Sequence, residues 1–154
     1  MFEECHGLIF RTAYRITGNA ADAEDVLQAV FLRLLRRDRS AEPLENAESY
    51  LRRAAINASL DVVRSRLDSA TVPLDESPPG AVGDQRELRD GLRRALATLN
   101  PRSAEIFALR FFEGHSNPEI ARMLGMSQVH VAVLLHRTRK QLQKEIRSYL
   151  GVVS

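Results

Sequence analysis

The sequence predicts an all-α protein: two small helical domains joined by a flexible linker. Three observations lead there. Apolar residues recur at three- and four-residue steps at both ends of the chain, and strand-like alternation is nearly absent. Between those ends, Leu67 to Asp84 holds three prolines, two glycines and four acids without helical period. Charge also divides at that stretch: residues 1–67 balance ten bases against ten acids, residues 68–84 carry four acids and no base, and residues 85–154 carry twelve bases against six acids. The expected bodies are therefore residues 1–67 and 85–154, with 68–84 as a linker whose acids keep them mobile. The basic C-terminal body is where a polyanion is expected to dock.

In the first body, Phe2, Leu8, Ile9, Ala13 and Ile16 mark an amphipathic helix that Gly18 can end, with Asn19 turning into the next. The second helix is expected from about Ala21 to Arg37, with Asp22, Glu24 and Asp25 in its first turn and Arg33, Arg36 and Arg37 in its last. That order suits the helix dipole. Beyond Pro43 in a polar loop, a third helix is expected from about Ala47 to Arg66. Its apolar stripe is Leu51, Ala54, Ala55, Ala58 and Val62, and Arg52, Arg53, Asn57, Asp61 and Arg64 lie on other faces.

In the second body, Leu88, Leu92, Ala95, Leu96 and Leu99 define one helix, and Asn100-Pro101 supplies the cap and first-turn proline of the next. Ser116-Asn117-Pro118-Glu119 is a capping box that opens a short helix, Pro118 to Leu124. Gly125 permits a sharp turn, and Ser127 can cap a longer helix expected from about Gln128 to Tyr149. This is the layout of a helix-turn-helix, with small Ala121 at the crossing and Ile120, Leu124, Met126, Val131 and Leu135 facing one core. Gln128, His130, Ala132, Val133 and His136 are then expected outward, as a groove-reading face with few donors for base edges. Arg137, Arg139 and Lys140 come next in the chain, placed to neutralise phosphates.

No apolar run approaches the roughly 20 residues of a membrane span, and the first residues lack the pattern of a signal peptide, so membrane insertion is not expected and a cytoplasmic location is. The single cysteine, Cys5, reads as a small apolar filler, and His115, His130 and His136 share no metal-ligand spacing. With no phosphate-cradling glycine loop and no nucleophile beside a base, no enzyme activity, catalytic residue, metal or cofactor is expected.

Taken together, these strings resemble the extracytoplasmic-function class of the sigma-70 family over nearly the whole chain. Asp22 to Arg33 is similar to the region 2 helix that grips RNA polymerase, Tyr50 to Asp61 to the helix that melts and reads the minus-ten element, and Leu99 to Ser127 to region 4, which reads the minus-thirty-five element. The resemblance implies partners: polymerase core, through its beta-prime and beta subunits, and promoter DNA. An anti-sigma partner stays open. It implies a polymerase-binding face of Asp22, Asp25, Gln28, Ala29, Leu32 and Arg36, and a DNA-binding set in region 2 of Arg53, Asn57, Arg64 and Arg66, with the loop Asp38 to Asn46 as a base pocket. Four positions depart from the family pattern: Ala29 stands for an acid, Ile56 for an arginine, and Ala132 and Leu134 for a lysine and an arginine. Two other readings remain at this point: a stand-alone helix-turn-helix regulator, and a sigma-like interaction module with weakened DNA contact.

Overall fold

The computed structural model describes residues 2–37, 47–69, 83–149 and 151. Over these residues it contains seven helices and no strand: α1 (Phe2–Thr17), α2 (Ala20–Arg36), α3 (Ala47–Ser69), α4 (Gly83–Thr98), α5 (Pro101–Phe111), α6 (Asn117–Leu124) and α7 (Gln128–Tyr149). The loop 38–46 and linker residues 70–82, and with them the expected base pocket, lie outside the described residues. At the linker's edges, residues 68–69 and 83–84 are helical, ending α3 and opening α4.

The helix ends are set by local chemistry. Gly18 closes α1 at φ 66°, a left-handed conformation that side chains resist, and the Asn19 side chain then accepts the Asp22 N–H to start α2. Asn100 caps α5 by accepting the Ser103 N–H, with Pro101 in the first turn.

The helices α1, α2 and α3 enclose a first core of Ile9, Ala13, Ala23, Val26, Leu27, Val30, Leu51, Ala54 and Ala55. A second core gathers Leu96, Leu99, Ile106, Leu109, Ile120, Val131, Leu135 and Leu142 from α4 to α7, and it does not stop at the second body. Ile16 from α1 and Ile56, Leu60 and Val63 from α3 are part of it. Thus α3 carries two buried stripes, not one, and lies between the two bodies.

Bodies expected to move independently are here packed together, and the reason is that second stripe. Ile56, Leu60 and Val63 are all at most 2% exposed. Burying three such side chains is worth about 5–8 kcal/mol at the upper bound, which favours the packed arrangement.

Candidate nucleic-acid and polymerase interfaces

The outward face of α2 carries Asp25, Gln28, Ala29, Leu32 and Arg36, all exposed, because Val26, Leu27 and Val30 turn the opposite face into the core. Leu32 and Leu35 are 50% and 80% exposed, so the face is more apolar than its charges suggest. Leu35 was not among the expected contacts, although its place three residues after Leu32 puts it on the same side of the helix.

Asp22 does not belong to that face. It is 6% exposed, and its carboxylate receives both Nε and Nη2 of Arg66, the latter at 2.8 Å. The pair ties the first turn of α2 to the last turns of α3. Arg66 is thereby held against Asp22 and away from the expected DNA-binding set. Arg64 stays on the α3 surface beside Asp61, at 3.2 Å.

On α3, Arg53 and Asn57 do come together, but around a carboxylate of the other body. Arg53 Nε and Asn57 Nδ2 both donate to Glu105 Oε2 at 2.9 Å, and Glu105 is 4% exposed. One turn back, Arg52 donates to Glu113 Oε1 at 3.0 Å and to Glu48 at 2.9 Å. Thr12 and Arg15 of α1 also donate to Glu113, whose side chain is fully buried. Arg93 of α4 completes the seam by donating its Nε to the Ile16 carbonyl at 2.8 Å, near the end of α1. A side chain at Gly18 would also meet that guanidinium, which would have to shift to make room for it. Arg52 and Arg15 were missed by sequence reasoning. Arg52 adjoins Arg53 in the chain, whereas nothing local marks Arg15.

In the second body the helix-turn-helix is built as its spacing predicts. The Ser116 hydroxyl accepts the Glu119 N–H, and its own hydroxyl and backbone N–H donate to the Glu119 carboxylate at 2.9 and 3.3 Å. Those bonds hold the Glu119 pKa below the usual carboxylate value. A carboxyl with a lowered folded pKa adds stability above its unfolded pKa and gives it up as pH falls through the folded one, so this cap weakens in acid. Gly125 takes φ 65°, its N–H bonds the Ala121 carbonyl, and the Ser127 hydroxyl caps α7 by accepting the His130 N–H at 3.1 Å.

Ile120, Ala121, Val131 and Leu135 are buried, which leaves Gln128, His130, Ala132, Val133 and His136 exposed on the outer face of α7. Val129, 75% exposed and not expected there, extends the apolar character of this face. Thr138 turns inward, and Arg137, Arg139 and Lys140 are exposed around it. Arg139 lies 4.7 Å over the Phe111 ring, so its guanidinium is steadied by a cation–π contact with α5. For Arg137→Ala and Lys140→Ala we expect weaker binding to every DNA sequence, with the slope of log affinity on log salt falling by about one for each. A salt titration checks this, and unchanged slopes would remove the assignment.

Both bodies have counterparts among known proteins. Residues 1–67 match the family model for sigma-70 region 2, and residues 89–142 match that for sigma-70 region 4. The chain is 34% identical over 152 residues to the ECF RNA polymerase sigma factor SigE of Mycolicibacterium smegmatis, covering 93% of this chain and 57% of that relative. It is 34% identical over 140 residues to the RNA polymerase sigma-E factor of Streptomyces coelicolor, covering 90% of this chain and 79% of that one. Its fold resembles that of the sigma factor RpoE of Bartonella quintana, solved in complex with the anti-sigma factor NepR, at a TM-score of 0.54 and 20% identity, covering 95% and 94% of the two chains. With both regions present in order and the helix-turn-helix geometry in place, the chain belongs to the extracytoplasmic-function sigma factors of the sigma-70 family.

Proposed function

We propose that this chain directs RNA polymerase core to promoters and opens them. In this reading residues 1–67 hold the core through the exposed α2 face and the unpaired minus-ten strand through α3, residues 68–84 act as the tether, and residues 85–154 lay α7 on the minus-thirty-five duplex. The observation that carries it is the presence on one chain of an α2 helix with an exposed outer face and a helix-turn-helix, in the order of regions 2 and 4.

The chain's own part is non-catalytic. Strand separation is driven by capturing extruded bases on α3, and the polymerase carries out nucleotidyl transfer. The working compartment is then the cytoplasm, where the polymerase is; among the described residues no helix is long and apolar enough to cross a membrane. The complex of the Bartonella relative with an anti-sigma factor makes such a protein a reasonable partner here as well.

One observation favours a second reading. Val129, Ala132 and Val133 make the outer face of α7 apolar, which suits thymine methyl groups but also suits a protein partner. A sigma-like module with weakened promoter contact would still bind core polymerase without yielding specific transcripts. The test is to add the purified chain to core polymerase with genomic promoter fragments. Specific transcripts that require the chain are the expected result; polymerase binding without transcripts would select the second reading.

A further inference from the structure

The outer face of α7 puts apolar side chains where a helix lying on a duplex meets base edges. Resting on the reading of α7 as the helix that docks on the minus-thirty-five duplex, we infer that Val129, Ala132 and Val133 read this DNA through the 5-methyl groups of thymines, so that the upstream element is specified by where its thymines stand.

Placement supports this first. On a helix of 3.6 residues per turn, Gln128, Ala132, His136, Val129 and Val133 fall in one stripe about 140° wide. All five are exposed, while Val131, Leu135, Thr138 and Leu142 are buried on the other side. Val129 is 75% exposed and Val133 40%, and both lie near the N-terminal end of α7, the end that contacts bases in a helix-turn-helix. Ala132, beside them, adds no bulk that would hold the helix off the floor of a groove.

Charge then selects the occupant. From Gln128 to Lys144 there is no acid, and Arg137, Arg139, Lys140 and Lys144 follow the stripe. Arg139 and Lys140 continue along the same side of the helix one to two turns further on, and the Phe111 ring steadies Arg139 at 4.7 Å. An apolar centre followed only by cations fits a polyanion that presents methyl groups between its charges. The DNA major groove is such a surface: it admits an α-helix, has phosphates along its rim and carries the thymine methyl on its floor.

The side chains also limit what can be read. Valine and alanine have neither donor nor acceptor, so the base-edge group that rewards them in the major groove is the thymine methyl. A guanine or cytosine edge beneath them would give up hydration and gain no hydrogen bond in return. Gln128, at the start of the stripe, is suited to adenine through its N6 and N7, which favours A·T pairs at the adjoining position as well.

The test uses the full chain with core polymerase and a promoter fragment that supports transcription. Thymines within the upstream protected patch are replaced by deoxyuridine, which pairs identically and lacks only the methyl. Burying one methyl is worth about fourfold in affinity, so replacing two or three thymines is expected to weaken binding by about tenfold. The same replacement between the two protected patches is expected to leave affinity unchanged. Val129→Ser with Val133→Ser should bind the thymine fragment about as weakly as wild type binds the deoxyuridine one, and should no longer tell the two apart. Equal affinity of wild type for both fragments, or a protected patch with no thymine on either strand, would overturn the inference. If the serine variant also binds both fragments as wild type does, the face belongs to a protein partner instead. Should that variant lose its helical circular dichroism, the wild-type comparison decides alone. Failure of the underlying reading looks different, because neither fragment then shows upstream protection, and the inference falls with it.

Discussion

Replacing Asp22 with alanine is expected to lower the unfolding free energy by about 2–3 kcal/mol, a large effect for one side chain in the first turn of a helix. Asp22 is buried, accepts two bonds from Arg66, and lies in the first turn of α2 where the helix dipole favours an acid. Its loss takes that carboxylate away from the Arg66 guanidinium, whose side chain is 24% exposed. The residual exposure keeps the figure below the about 3–5 kcal/mol of a fully buried broken pair. In urea the midpoint should fall with the slope unchanged, and Asp22→Ala combined with Arg66→Ala should cost less than the two separate losses summed. Leu32→Ala, at an exposed position on the same helix, should leave stability within about 0.5 kcal/mol while weakening attachment to core polymerase. Wild-type stability in Asp22→Ala would return Asp22 to the partner-facing surface.

Ile56→Arg is expected to have the larger structural consequence, although arginine is the residue that the family pattern places there. Ile56 is 0% exposed and belongs to the core that joins α3 to α4 and α5. A guanidinium in that position must either be buried without a partner or push the second body away. The seam is therefore expected to lose at least about 3 kcal/mol, and the two bodies to unfold as separate transitions where a single one is expected for wild type. Hydrogen exchange resolved by body measures this directly. Protection of both bodies equal to wild type would contradict the packing described here. The isoleucine also changes the meaning of the departure. On the sequence alone Ile56 looks like a contact charge lost from the DNA-facing surface, whereas its burial makes it part of the interdomain contact.

Most of the second body was legible from local chemistry. The Ser116 box, the positive φ of Gly125 and the inward turn of Val131 and Leu135 follow from residue type and spacing alone, because each is decided within one or two turns of chain. The first body's three helices were legible for the same reason, as was the partition of α2 into an inner and an outer face. The features that sequence reading missed are long-range. Asp22 carried the pattern of a surface acid, and only Arg66, 44 residues away, explains its burial. Glu105 and Glu113 looked like ordinary charges on a basic domain, and their partners lie 48 to 101 residues distant. The stripe Ile56, Leu60, Val63 was present at three- and four-residue spacing and was the available signal for a second packing partner on α3. Treating one apolar face per helix as the rule concealed it.

Two bodies must act on one duplex while both are seated on polymerase, and a footprint of the initiating complex tests that most directly. With core enzyme, this chain and a promoter fragment that supports transcription, permanganate should find unpaired thymines at the minus-ten element, and nuclease protection should extend over a separate patch at the minus-thirty-five element. Asn57→Ala should lose the permanganate signal and keep the upstream protection, whereas Arg137→Ala with Lys140→Ala should weaken that protection first. Opening that is unchanged in Asn57→Ala, or no protein-dependent protection at low salt, would contradict the division of labour between the two bodies.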